Sequence, residues 1–244
     1  MTAGPWFVAP TGWSATEVSL PEDESHHALK VLRVAPPDVI TVTDGKGRVA
    51  RCAAARIDDG TLVAEILDTE ERQPLKPRIV IYQGAAKGSK IDDTIERLAE
   101  LGVAETWVYG SARTVVKWDA DRIAKLNGRW RSIARSAAKQ SRNPYLMEVG
   151  AGLSWTELAR RIAKEPSAVV LWEEASLPMR TALIEGSDRV ALVVGPEGGL
   201  ERSEAEALAD AGAQLVSLGP RILRTENAAV ISAAALLYHY GLIG

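Results

Sequence analysis

The sequence predicts an α/β protein in two parts: a small N-terminal β-barrel over residues 1–70 and an α/β domain over residues 75–244 built on a mostly parallel sheet. Three observations carry this. Short β-branched runs separated by Asp-Gly turns fill the first part. Near-continuous Val/Ile/Leu runs alternate with amphipathic segments in the second, the pattern of strands buried on both faces. Residues 70–77, polar and with two prolines, separate them.

In the first part, residues 39–43, 49–56 and 62–67 read as strands, with turns at Asp44-Gly45 and Asp59-Gly60. One helical piece, residues 25–33, sets Ala28, Leu29 and Leu32 on one face and His27, Lys30 and Arg33 near another. In the second part, strand 78–82 leads to a helix at 90–101, with Ile91, Ile95 and Leu98 on one stripe, Ser89 placed as its cap and Gly102 as its stop. After strand 106–109, a basic helix at 121–141 buries Ile123, Leu126, Trp130, Ile133 and Ala137, while Arg131, Arg135 and Lys139 recur at i, i+4, i+8 on a different side. Strands 168–172 and 189–194, a helix at 203–211 with Ser203 and Glu206 as a capping box, strand 214–218 and a terminal helix from Glu226 complete the pattern.

Composition narrows the function. At 244 residues with 46% hydrophobic and 25% charged side chains, the chain has globular composition, which excludes disordered and collagen-like classes. One cysteine, Cys52, permits no intrachain disulfide, and with three histidines it leaves no spaced set for structural zinc, so no metal is expected. A reducing cytoplasm is the natural compartment, since residues 1–10 lack a leader pattern and the most apolar stretch, 228–242, is too short to span a bilayer. The net charge of −3 conceals segregation: residues 73–150 hold 14 Lys/Arg against 8 Asp/Glu, and residues 113–142 hold nine against two. That is the footprint of a phosphate-rich partner, or of a solvated helix face.

Two loops leave the ends of apolar strands and enter helices, where open α/β sheets place ligands. In the first, Gly195-Pro196-Glu197-Gly198-Gly199-Leu200, three glycines let backbone groups approach a ligand; the alternative is a plain strand-to-helix turn. The second, residues 218–227, packs Arg221, Arg224 and Glu226 around Ile222 and Leu223; the alternative is a salt-bridged helix start with Thr225 as cap and Glu226 favoured by the helix dipole. Residues 84–90 follow a strand and open a helix as a P-loop does, but Gly88 comes four after Gly84 and Ser89 precedes Lys90, so the spacing fails. Lys87 and Lys90 read instead as phosphate-contacting loop cations. No G-x-G-x-x-G is present, and the adjacent His26 and His27 read as packing or RNA-contact residues.

The segments VVGPEGGL and SLGPRILRTENA resemble the C-terminal signature of the SPOUT methyltransferases, most closely the RsmE family of 16S rRNA (uracil-N3)-methyltransferases. The resemblance runs the whole length, through HHALKVLRV, TDGKG, ERLAELGV and AAKQSRN. Two departures are Lys139, where the family pattern has an acid, and Asn227, where it has Thr. The resemblance implies a PUA-like RNA-binding barrel, a SPOUT domain with a C-terminal trefoil knot, a homodimer, and S-adenosyl-L-methionine as cofactor. By position, one wall of the cofactor site falls on Leu171, Trp172 and Glu173, and a second on Val194, Gly195, Pro196, Glu197, Gly198 and Gly199. The third falls on Leu218, Gly219, Ile222, Leu223, Arg224 and Thr225. The substrate is 16S rRNA or the small ribosomal subunit, with Lys30, Arg33, Lys87, Lys90, Lys117, Arg135, Lys139 and Arg142 on its phosphates. Arg224 and Arg221 are the candidates to steady the uracil anion, and Glu226 to accept its proton or orient Arg224. A SPOUT 2′-O-methyltransferase and a catalytically silent RNA-binding module are the competing readings. Val230, Ala234 and Leu237 on the terminal helix form the stripe expected to pack on a partner copy.

Overall fold

The computed structural model describes residues 3–114 and 118–244. The chain forms two compact units, Met1–Pro74 with Ala138–Leu146, and Leu75–Ala137 with Met147–Gly244.

The first unit carries strands β1 (Ala3–Phe7), β2 (Glu17–Ser19), β3 (Val39–Thr43), β4 (Arg48–Asp58) and β5 (Thr61–Glu71) in one sheet of order β1-β3-β4-β5-β2. β1 runs parallel to β3 and the other pairs are antiparallel. The sequence pattern anticipates β3, β4 and β5 but not the two edge strands, which are short and contain a proline or a charge. Two bulges in the β4–β5 ladder bend this sheet around a core of Trp6, Val18, Leu20, Ile40, Val42 and Leu62. The helical piece also differs from expectation. Helix α1 begins earlier, at Glu22–His26, and continues as a π-turn over His27–Val31. The wider turn rotates the faces, so Glu24, Ser25 and Ala28 are buried while Leu32 is 50% exposed.

Residues 138–146, which the sequence pattern groups with the α/β domain, pack in this first unit. Thr43 Oγ1 donates to the Pro144 carbonyl (3.2 Å), Tyr145 donates to the Arg72 carbonyl (2.6 Å), and Lys139 Nζ lies 2.6 Å from Glu24 Oε2.

The second unit is a six-stranded sheet of order β11-β9-β10-β6-β7-β8, every neighbouring pair parallel. Its elements are β6 (Arg78–Gly84), α2 (Lys90–Glu100), β7 (Glu105–Tyr109), α3 (Ala120–Ser141), β8 (Glu148–Leu153), α4 (Trp155–Ile162), β9 (Ala168–Leu171), β10 (Arg189–Val194), α5 (Arg202–Asp210), β11 (Gln214–Val216) and α6 (Thr225–His239). Side chains alternate between its faces. Ile79, Ile81, Val190 and Leu192 share a core with α2, α3 and α6, while Val80, Tyr82, Ala191 and Val193 share one with α4 and α5.

Three local expectations need correction. The capping box of α5 is Glu201 with Glu204 rather than Ser203 with Glu206, so the helix starts ahead of the expected cap. Ser89 sits at the start of α2 but makes no side-chain cap bond there. On α6 Leu237 is fully buried and Val230 and Ala234 are half-buried, and the large apolar side chains left exposed are Ile231 and Tyr238. β8 and α4 escape the sequence pattern: β8 holds two glycines, and α4 is only eight residues long. Gly150 is required because a Cβ would lie 2.2 Å from the ring of Trp107. Among the described residues, no helix is long and apolar enough to cross a membrane.

Candidate active site

β10 and β11 flank β9 in the sheet, so the chain changes direction around β9 and leaves a crevice beyond the strand ends. The segments following all three strands meet there around a cavity of about 500 Å³. That volume suits a small organic ligand. Leu171, Trp172 and Glu173 line it from β9, Val194 to Glu197 with Gly199 and Leu200 from β10, and residues 216–226 from β11 and the start of α6. Gly198 does not line it. Its carbonyl accepts a hydrogen bond from Arg113 Nη1 at 3.0 Å, and a Cβ there would press on Arg113. Gly199 has φ +72°, the left-handed conformation that lets the chain turn back toward α5.

The loop after β10 is held at its base by buried polar contacts. Tyr109 donates to the Val194 carbonyl (3.0 Å), and Thr225 Oγ1 donates to the Gly195 carbonyl (2.6 Å). Gln83 Nε2 donates to both Thr225 Oγ1 (2.7 Å) and the Gly84 carbonyl (2.9 Å). A single hydroxyl thereby joins β6, the Gly195 loop and the first turn of α6. Gly84 permits this closeness, since a Cβ would stand 2.2 Å from the nitrogen of Pro196. Thr225 is therefore a tie between loops, not a helix cap; Arg224 occupies the cap position without a side-chain bond.

Charge is distributed unevenly. Glu226 is half-buried; among the described residues its Oε2 accepts no hydrogen bond, and Lys90 Nζ lies 3.9 Å from it. Lys90 also hydrogen-bonds Glu197 Oε1. That bond, outweighing the slight burial, holds the Glu197 carboxyl below its ordinary range, and the Lys87 backbone N–H adds to it. Lys90, expected on RNA phosphates, is thus a wall residue of the cavity paired with two acids. Arg221 and Arg224 are exposed at the cavity, and no ion pair joins either to Glu226 among the described residues, which removes the reading of this loop as a salt-bridged helix start. The half-buried Leu218 and Leu223 have backbone N–H groups that make no hydrogen bond among the described residues, leaving them available to a ligand.

The other basic residues are dispersed. Lys30, Arg33, Lys87 and Arg142 are exposed, Arg33 and Arg142 both at positive φ (57°), and Arg135 is half-buried. Lys139 is turned onto the buried carboxylate of Glu24 with its ammonium 5.7 Å from the Trp6 ring centre, so it is committed within the first unit rather than to a phosphate. Lys117 lies outside the described residues. Sequence reasoning missed Lys90 as a pocket residue, and Gln83, Gly84, Tyr109 and Arg113 as supports of the loop after β10. A glutamine near the end of an otherwise apolar strand was the signal for Gln83 and Gly84.

Comparison with known proteins agrees with this geometry. The RNA methyltransferase domain family matches residues 72–237, and the RNA methyltransferase PUA domain family matches residues 20–67. Ribosomal RNA small subunit methyltransferase E of Mycobacterium bovis is 37% identical over 218 residues, covering 88% of this chain and 83% of that one. The Bacillus subtilis protein of the same name is 32% identical over 241 residues, covering 94% and 93%. Among solved structures, ribosomal RNA small subunit methyltransferase E from Neisseria gonorrhoeae, bound to S-adenosyl methionine, superposes with a TM-score of 0.83 at 31% identity, covering 96% and 97%.

Proposed function

Since the chain belongs to the ribosomal RNA small subunit methyltransferase E family, we propose that it transfers the methyl group of S-adenosylmethionine to N3 of a uridine in 16S rRNA. The observation that carries this is the cavity walled by the segments after β9, β10 and β11. Its residues suit this cofactor: glycine-rich backbone at Gly195 and Gly199, available amides at Leu218 and Leu223, and apolar Leu171, Val194 and Leu223 beside them. When bound, S-adenosylmethionine supplies an electrophilic methyl group; the chain's own residues do the rest.

N3 of uracil must lose a weakly acidic proton as it attacks, so the site needs an acceptor and cations for the developing charge. Glu226 is suited to accept the proton, because its Oε2 has no hydrogen bond to give up and faces a single distant ammonium. It does not orient Arg224, which it does not touch. Arg224 and Arg221, which make no ion pair with a carboxylate among the described residues, are placed to hold the ring oxygens. N3 lies on the pairing edge, so the base has to be unpaired or flipped.

The same reading includes a trefoil knot in the C-terminal segment, supported by the bonds that tie the start of α6 to Gly195 and Gln83. It also includes a homodimer using α6, supported by the exposed Ile231 and Tyr238, and a PUA-like unit that binds RNA from the cytoplasmic small subunit. The deciding experiment maps N3-methyluridine in 16S rRNA from cells with and without the protein, then restores it in vitro with the purified chain. Identical maps, or a modification that maps to ribose, would overturn the assignment.

A further inference from the structure

A second crevice, of about 420 Å³, opens in the same unit between the loop entering α2 and the first half of α3. Ala86, Lys87, Gly88 and Ser89 form one side, and Trp118, Arg122, Leu126, Arg129 and Trp130 form the other. Trp130 is the buried floor, its indole N–H donating to Asp92 Oδ1 at 2.8 Å. Trp118 is half-buried and stands at 68° to it, ring centres 5.8 Å apart, so one indole is supported edge-on by the other.

The charges are set around this aromatic wall in a particular way. Arg129 is committed to Asp92, with Nη2 2.6 Å from Oδ2. Lys87 and Arg122 are exposed, and neither side chain makes an ion pair among the described residues. Among the described residues, its lining holds three cations and one acid beside an indole. Packing of α2 against α3 does not by itself account for two exposed cations at the mouth of the crevice.

We infer that this crevice holds a nucleotide of the substrate RNA, its base stacked on Trp118 and its phosphates held by Lys87 and Arg122. An aromatic face takes any base, and the cations follow the backbone, so the site positions a strand without reading its sequence. Its place relative to the cavity gives it a use. Lys87, Gly88 and Ser89 line the crevice, and the next residue, Lys90, lines the methyl-transfer cavity. Glu197 stands beside the junction, accepting a hydrogen bond from the Lys90 ammonium. The crevice thus takes a nucleotide neighbouring the target and keeps the strand unstacked beside the reacting base. This inference rests on the RNA-methyltransferase reading.

The test measures binding of a single-stranded oligouridylate to wild type, Trp118→Leu, Trp118→Phe and the double variant Lys87→Ala, Arg122→Ala, with S-adenosylmethionine affinity as the control for an intact fold. Trp118→Leu should weaken oligouridylate at least about fivefold, and Trp118→Phe should recover most of the loss. The double variant should reduce the log–log salt slope by about 0.7 for each phosphate deprived of its cation. In methyl transfer both changes should raise KM for rRNA more than they lower kcat. If Trp118→Leu does not fold, the double variant, altered only at exposed side chains, decides. Variants that bind cofactor normally and oligouridylate as tightly as wild type would overturn the crevice while leaving methyl transfer intact. Inorganic polyphosphate competing equally with wild type and Trp118→Leu would also overturn it, marking a site for phosphate alone. Wild type inert toward both cofactor and rRNA would overturn the methyltransferase reading and this inference with it.

Discussion

Thr225→Val replaces a hydroxyl by a methyl of similar size in a side chain that is 8% exposed, so the perturbation is almost purely one of hydrogen bonding. Two bonds disappear, the 2.6 Å bond to the Gly195 carbonyl and the 2.7 Å bond from Gln83 Nε2. Each is worth about 0.5–1.5 kcal/mol net, and a buried group left unpaired adds about 1–3 kcal/mol. Gln83 Nε2 keeps its bond to the Gly84 carbonyl, and the Gly195 carbonyl sits in a half-buried residue, so the orphaned groups are only partly penalised. The expected loss is about 2–4 kcal/mol, which for a chain of this size lowers Tm by roughly 5–12 °C. Because the hydroxyl fixes the Gly195 loop against α6, cofactor affinity should fall with stability. Calorimetry of the transition that S-adenosylmethionine shifts gives both quantities in one titration series. Thr225→Ser keeps both bonds and should stay within about 1 kcal/mol of wild type. A Thr225→Val protein as stable as wild type, or a Ser variant as damaged as the Val variant, would refute the clasp.

Gly84→Ala drives a Cβ into the backbone of Gly195 and Pro196, at 2.6 and 2.2 Å, so it should abolish cofactor binding in calorimetry even where circular dichroism shows a folded chain. Arg224→Ala should lower kcat about a hundredfold to a thousandfold with cofactor Kd unchanged, because the guanidinium makes no intrachain bond among the described residues whose loss would disturb the loop; single-turnover rates at saturating cofactor and RNA check it. Burial raises the Glu105 carboxyl, but hydrogen bonds from Arg189 and Trp107 outweigh it and hold the group below its ordinary 4.5. A depressed folded-state pKa contributes stability that is complete above about pH 4.5 and lost as pH falls through the folded value, so Glu105→Gln should flatten the acid limb of Tm against pH. Burial, helped by Asp68, pushes the Cys52 thiol up to about 11, so iodoacetamide at mildly alkaline pH should label it only in denaturant.

What the sequence made legible follows from how strongly each signal is local. β6 and β10 announce themselves because a run of Val and Ile is needed wherever a strand is covered on both faces, and β3 because its β-branched run ends at an Asp-Gly turn. The two cavity loops are legible because glycine and paired arginines have few structural uses at that density. β8 is illegible because its residues are chosen by neighbours distant in sequence: Gly150 yields to Trp107, and Gly152 (φ +81°) to Ile123. Charge is legible only as a sum. The nine cations of residues 113–142 look like one surface, yet Arg129 is spent on Asp92 and Lys139 on Glu24, while Arg122 is left over. Lys90 reads as a phosphate contact until Glu197 and Glu226, over a hundred residues away, are brought beside it.

The two ends of the parallel sheet are built from different materials, and that difference explains where the chemistry sits. At the N-terminal end, the first residues of β6, β7 and β10 close a charge cluster: Arg189 lies 2.6 Å from Glu105 and 2.7 Å from Glu165, and Arg78 lies 3.2 Å from Glu105. Two cations balance two acids, and Tyr82 adds its hydroxyl to Glu165 at 3.0 Å. Such a cluster adds little net stability, but losing one member strands the others in a partly buried place, so it fixes the strand register more than it strengthens the fold. At the C-terminal end the side-chain bonds gather around the cavity, in the Gln83–Thr225–Gly195 clasp, in Tyr109 on the Val194 carbonyl and in Lys90 on Glu197, while glycine-rich backbone forms part of its wall. The strand register is set at the far end of the same strands and the loop after β10 is held at its base by the Tyr109 and Thr225 hydroxyls, leaving Arg221, Arg224 and Glu226 without mutual hydrogen bonds among the described residues.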